Sequence, residues 1–313
     1  MLDIRADLGY EHRQPEIAAI SPPNRALAER HLASAVAAYG RAVALAADKP
    51  LVRIGYAWVL EQAGRPREAI NDYRAAIRLA WPADRDANER RLNQDGTPIF
   101  TMGFPPGYVF LTEEAIRRLI PLLDSSKDAA EIEELARRQA FIQRGPRYIS
   151  PILVPLRRDA ALPELVDRSA RVTFDLDGFG ARAWSWITPD AGWLVFDPRG
   201  TGRITSGLQL FGNVTFWLFW NTGYDALQAL DDDGDGVLQG NELTGLGVWR
   251  DANADGVSQP GEVSALAAFG IVALSTRHVV EGEDDDVLAY ALDGVRFSDG
   301  STRNTYDVLL RQR

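Results

Sequence analysis

Apolar positions in the first half of the chain recur at helical spacing. In the second half they gather into short runs separated by acidic, glycine-rich turns. Ala35, Tyr39, Ala42 and Leu45 recur as Ala69, Tyr73, Ala76 and Leu79, each 34 residues further on, as from Tyr39 to Tyr73. The pattern predicts a helix over about 24–47 and a helix pair over 55–82, interrupted at Gly64 and stopped before Pro82. A further helix is expected from Thr112, with Thr112 as its N-cap and Ala115 where a full capping box has an acid or amide. Another follows from Lys127 and stops at Gly145-Pro146. Gly and Pro mark a loop over 93–109, and four prolines between 145 and 165 predict an extended connection. From Val172 onward, FDLDG, WLVFD and LQLFG predict strands, with IVALSTRHV, VLAYAL and YDVLLR as later ones beyond a helix end at Phe269-Gly270. Tyr224, Leu227 and Leu230 are spaced as a short helix leading into an acidic segment.

The 34-residue offset is the period of tetratricopeptide repeats. The stretch Gly55 to Pro82 resembles one repeat of that family: Ala57 lies where its two helices approach, Ala69 and Ala76 are small packing positions, and Tyr73 fills the gap between them. The helix before it matches only the second half of a repeat, since Pro22 and Pro23 stand where the first-helix signature would be. The resemblance covers about 35–82 and implies a protein-binding surface. One and a half repeats cannot close a solenoid, so the later helices are expected to cover the exposed apolar face.

Two twelve-residue loops carry the chemistry. DDDGDGVLQGNE (231–242) and DANADGVSQPGE (251–262) both fit D-x-[DN]-x-[DN]-G-x5-E, the loop that wraps calcium in EF-hands. Side-chain oxygens at positions 1, 3 and 5 are Asp231, Asp233 and Asp235 in the first loop and Asp251, Asn253 and Asp255 in the second. Gly236 and Gly256 allow the turn at position 6, and Val237 and Val257 offer the backbone carbonyl of position 7. Gln239 and Gln259 stand at position 9, where contact is often through water, and Glu242 and Glu262 close the sphere as bidentate ligands. The loops predict two Ca2+ ions, one in each. Only LTGLGVWR (243–250) separates them, which fits one helical turn from Glu242 to Leu246 and an extended Val248-Trp249. That is too short for the long helix pair of a calcium sensor, so the sites are expected to be structural. VTFDLDGFG and DPRGTGRITSG have the loop outline without the full ligand set: Phe179 takes position 5 of one, and Arg199 and Thr201 take positions 3 and 5 of the other. The segment 172–276 resembles the calcium-loop segments of large secreted bacterial proteins of the RTX and adhesin type.

The expected architecture is multidomain: an all-α, tetratricopeptide-like domain over 1–144, a Pro-rich extended connection over 145–170, and a calcium-binding α+β domain over 171–313. The net charge of −10 argues against binding to nucleic acid through phosphates. There are no cysteines, which excludes disulfides and thiolate metal sites. Lys49 and Lys127 are the only lysines, and the Arg, Ala and Gly usage points to a GC-rich bacterial coding sequence. No apolar run is long enough to span a membrane. The compartment stays open: periplasmic or secreted, where calcium is plentiful, if an export signal precedes this start, and cytoplasmic otherwise.

Six of the eight tryptophans fall between Trp184 and Trp249, densest in TFWLFWNTGY. They read either as the core of a small domain or as an exposed platform for sugar or protein formed by Phe216, Trp217, Phe219, Trp220 and Tyr224. His12, His31 and His278 have no metalloprotease spacing, and there is neither a G-x-S-x-G elbow nor a P-loop. The acidic run Glu281 to Asp286 reads as a solvated loop, with a weak cation site as the alternative. The chain is expected to be a non-enzymatic, calcium-binding protein-interaction module with a protein partner. The alternative is a cell-envelope carbohydrate- or adhesin-type binding module.

Overall fold

The computed structural model describes residues 22–92, 110–145, 148–178, 180–215, 220–280 and 286–313. The expected 93–109 loop, Phe179, the aromatic residues Phe216, Trp217 and Phe219, and acidic residues 281–285 lie outside them. The chain divides into a helical unit, described over 22–92 and 110–145, and a β-rich unit from 148 to the C-terminus.

Five helices form the first unit: α1 (Pro22–Leu45), α2 (Pro50–Gln62), α3 (Pro66–Glu89), α4 (Leu111–Leu119) and α5 (Ala129–Ile142). Ala57, Ala69, Tyr73 and Ala76 are fully buried where α2 and α3 pack together, joined by Ile116 and Leu119 of α4. Gly64 ends α2 at a positive φ of 71° that favours glycine. Tyr39, the counterpart of Tyr73 by sequence, is 37% exposed on α1, which packs on α2.

Two local expectations are corrected. Pro82 does not follow the helix stop; α3 runs through it to Glu89. A mid-helix proline costs about 3 kcal/mol, and contacts beyond it oppose that cost. Asp84, Ala87 and Asn88 are buried, Trp81 meets Phe141 edge-on at 5.9 Å, and Asn88 donates to the Phe141 carbonyl at 2.8 Å. Thr112 is not an N-cap. It lies inside α4, and its backbone N–H donates to Asp84 Oδ2 at 2.7 Å, so a side chain of α3 caps α4.

The second unit is built on a nine-stranded antiparallel sheet. Its strands are β2 (Ile152–Pro155), β5 (Ala191–Phe196), β6 (Val237–Gln239), β7 (Leu246–Trp249), β8 (Val263–Ala265), β9 (Ile271–Ser275), β10 (Val279–Val280), β11 (Val287–Phe297) and β12 (Thr302–Val308). The order is β6-β9-β11-β12-β2-β5-β7-β8, with β10 paired to β11. Smaller two-stranded sheets join β1 (Tyr148–Ile149) to β13 (Leu310–Arg311) and β3 (Val166–Phe174) to β4 (Arg182–Ile187). Short helices α6 (Leu162–Leu165) and α7 (Gly223–Gln228) complete the unit.

The central strands are buried on both faces, so their sequences read as continuous apolar runs rather than alternating ones. Ile152, Val154, Leu194, Phe196, Leu246 and Val248 face one core with Phe211, Tyr224 and Leu227. Leu153, Trp193, Val195 and Trp249 face the other, with Phe174, Trp184 and Trp186. The segment expected to be an extended connection is therefore corrected: Ile152–Pro155 is extended, but it is a strand in the middle of the sheet, between β12 and β5. Pro155 stands at the strand end, and the prolines around the run hid it.

Candidate metal centre

Local polar bonds lead the chain into the first loop. Thr222 Oγ1 accepts the Asp225 N–H at 3.2 Å and Asp225 Oδ2 accepts the Thr222 N–H at 2.9 Å, a full capping box on α7. Asp307, fully buried on β12, accepts the Gly223 N–H at 2.7 Å and so ties the helix start to the sheet. Its own carboxyl is pushed well above the usual carboxylate range, first by burial.

Both loops fold by the same set of hydrogen bonds. The position-1 carboxylate accepts the N–H of the position-6 glycine: Asp231 from Gly236 at 2.9 Å and Asp251 from Gly256 at 2.8 Å. The position-3 oxygen accepts the position-5 N–H, Asp233 from Asp235 at 3.1 Å and Asn253 from Asp255 at 3.3 Å. Position 5 accepts from position 7, Asp235 from Val237 at 2.7 Å and Asp255 from Val257 at 2.8 Å. Glu242 bridges the N–H groups of Asp232 at 2.7 Å and Gln239 at 3.0 Å, and Glu262 bridges those of Ala252 and Gln259, both at 2.9 Å. Gly236 and Gly256 have φ of 84° and 75°. A carboxylate has about four lone-pair sites, so two such bonds leave Glu262 capacity for a cation.

The loops differ in what they assemble. Oxygens of Asp231, Asp233 and Asp235 lie within 4.8 Å of one another. Among the described residues these three have no ion-pair partner. Three carboxylates this close repel one another unless a cation lies between them, and an all-oxygen set of this kind suits a hard cation. In the second loop Asn253 turns its amide to Asp255 Oδ2 at 2.8 Å, and no such carboxylate triad forms there among the described residues. Gln259 donates to Asp255 Oδ2 at 2.7 Å while its own Oε1 is buried and unpartnered. In the first loop Gln239 donates weakly to Asp235 at 3.4 Å. Arg277 donates to the Asp235 carbonyl at 2.5 Å. Asp251 is fully buried, and burial raises its carboxyl pKa against the bonds from Gly256 and Trp186.

The elements that flank the loops are short, and Val248-Trp249 is extended as the spacing predicts. The first loop has α7 before it and a 3₁₀ turn, Gly240–Leu243, at its end. The expected turn from Glu242 to Leu246 thus stops at Leu243, and β7 starts at Leu246. The second loop closes a hairpin between β7 and β8, where Trp249 pairs with Val263 and Arg250 N donates to Glu262 O at 2.9 Å. The partial loops keep the position-1 to position-6 bond: Asp197 accepts from Gly202 at 2.7 Å and Asp175 from Gly180 at 3.0 Å. Arg182 pairs with Asp177, position 3 of the loop that starts at Asp175, at 2.9 Å. Ser258 of the second loop accepts the Ile204 N–H at 2.8 Å, which pairs that loop with the 197–204 loop.

Residues 161–311 match the SPM domain. The chain is also 35% identical over 130 residues to the iron-regulated protein FrpA of Neisseria meningitidis serogroup C, a match covering 40% of this chain and 12% of that protein. The chain thus spans about an eighth of the relative's length.

The other sequence candidates are placed as follows. Trp184, Trp186, Trp193 and Trp249 are fully buried core residues. Trp220 is half-buried and donates to the Thr215 carbonyl at 3.1 Å, and Tyr224 is buried against His278 in a parallel stack at 5.0 Å. Asp286, the described end of the acidic run, pairs with Arg311 at 3.1 Å and with Arg168. Among the described residues no helix is long and apolar enough to cross a membrane. Sequence reasoning missed Trp186 and Arg277 beside the loops; they lie 65 and 42 residues from the groups they bind, with no local signal.

Proposed function

We propose that this chain is a calcium-binding, non-enzymatic protein-interaction protein whose β-rich unit is stabilised by two Ca2+ ions in EF-hand-type loops. The observation that carries the reading is the repetition of one hydrogen-bond pattern, position by position, in two loops that both end on a buried or half-buried glutamate. Asp231, Asp233, Asp235 and Glu242 would hold one ion with the Val237 carbonyl, and Gln239 through water. Asp251, Asn253, Asp255 and Glu262 would hold the other with the Val257 carbonyl, and Gln259 through water. Calcium suits the large, flexible oxygen set better than magnesium does. A structural role fits loops held between short elements, with no long helix pair to swing. The helical unit, through its likeness to tetratricopeptide repeats over 35–82, would supply the surface for a protein partner. Calcium-dependent folding is most useful outside the cytoplasm, which favours a periplasmic or secreted location.

Calorimetry of the chain freed of metal by a chelator tests this. Two Ca2+ ions per chain are expected, and Glu242→Gln and Glu262→Gln should each remove one tight site and keep the other. No uptake at millimolar calcium, or wild-type stoichiometry and affinity in either variant, would contradict it.

A further inference from the structure

The four fully buried tryptophans of the second core treat their indole N–H groups differently. Trp184 donates to the Phe174 carbonyl at 3.0 Å, and the Nε1 atoms of Trp193 and Trp249 are buried without a partner. Trp186 donates to Asp251 Oδ2 at 2.7 Å, and both residues are fully buried. Asp251 is the position-1 carboxylate of the second loop. We propose that Trp186 is a positioning residue of that loop's calcium site, fixing the Asp251 carboxylate and linking the loop's occupancy to the tryptophan core. This rests on the reading of the second loop as a calcium site.

The bond crosses between two sheets. Trp186 stands on β4, in the two-stranded sheet, whereas the loop hangs from β7 and β8 of the large sheet. Around the indole are Phe174 at 5.5 Å, Trp193 at 5.5 Å and Trp249 at 5.8 Å, all at steep angles, so the ring cannot turn without repacking the core. Asp251 Oδ2 holds the Trp186 and Gly256 N–H groups and Oδ1 holds the Asp255 N–H at 3.2 Å, which sets the plane of the carboxylate. The donor is neutral. It stabilises the buried anion without adding a positive charge that would repel a cation. Among the described residues, Asp231 in the first loop accepts from Gly234 and Gly236 of its own loop and from no other element. The second loop, which has Asn253 in place of a third aspartate, gains a fixed outside donor on its position-1 carboxylate, whereas the outside donor of the first loop, Arg277, binds the Asp235 carbonyl instead. Groups that orient a metal's ligands are typically worth ten- to a hundredfold in affinity.

The test uses the full chain with calcium as the probe. Trp186→Phe is expected to weaken the second site about tenfold or more and to leave the first site, counted by calorimetry in the same sample, unchanged. In the 1H–15N spectrum of the wild type, the Trp186 indole N–H should shift as the second site fills. It should still do so in Glu242→Gln and should stay still in Glu262→Gln. That spectrum decides the matter if Trp186→Phe fails to fold. Second-site affinity unchanged in Trp186→Phe, or an indole signal that does not move while the second site fills, would overturn the proposal and leave the calcium reading standing. No calcium uptake by the wild type would overturn both.

Discussion

Glu114 shows how a single buried side chain sets a pH dependence. It lies on α4 at 5% exposure, with Arg118 Nε 3.8 Å away. Burial pushes its carboxyl from 4.5 up to about 7, and Arg118 and Arg117 offset only part of that. The folded state therefore holds the proton more tightly than the unfolded state. The contribution to stability is complete below about pH 4.5 and is lost as pH rises through about 7. The loss is on the order of 3 kcal/mol at most. At saturating calcium, hydrogen exchange in α3 and α4 should speed up between pH 5 and 8 beyond the intrinsic base-catalysed rise, and Glu114→Gln should remove that excess. An excess that persists in the variant would assign it elsewhere. The acidic loops and the close set Asp231, Asp233 and Asp235 were legible in the sequence, because a twelve-residue motif places the chemistry of every position in one contiguous stretch. Glu114 was not, since its burial depends on helices distant in sequence.

Among the elements, α4 takes its N-terminal cap from α3. Asp84 Oδ2 supplies the acceptor that the N-cap residue Phe110, without a side-chain oxygen, does not. Asp84→Ala leaves the Thr112 N–H buried and unpaired, at a cost of about 1–3 kcal/mol. Asp84→Asn keeps an acceptor and should lose less. Urea denaturation followed at the helical unit would measure both, and equal stability of Asp84→Ala and the wild type would exclude the cap. The helices themselves were readable from periodicity and from Gly64. Their caps and the passage of α3 through Pro82 were not, because they depend on Trp81, Asn88 and Phe141 meeting across the unit. The sheet order was illegible for the same reason: β2 pairs with β12, which lies about 150 residues further on, and nothing local to Ile152–Pro155 announces it.

At the scale of the molecule, calcium should act on one unit and spare the other. A fragment beginning at Val172 would lack β2 and so remove a middle strand of the large sheet; the complete chain is the right object to study. Each site would add about 2.7 kcal/mol at one hundred times Kd, so two weigh heavily against a typical domain stability of 5–15 kcal/mol. The two loops attach to different parts of the sheet, the first through β6 and β9 and the second through β7 and β8. Filling them should therefore steady both ends of it. Residue-resolved hydrogen exchange of the full chain, in calcium and in chelator, tests this most directly. Strong calcium-dependent protection is predicted at the N–H groups of Asp232, Gly236, Ala252 and Gly256 and along β6–β9 and β7–β8, with no change across α2, α3 and α4. Equal exchange in the loops under both conditions, or a calcium response centred on the helices with the loops already protected, would contradict it.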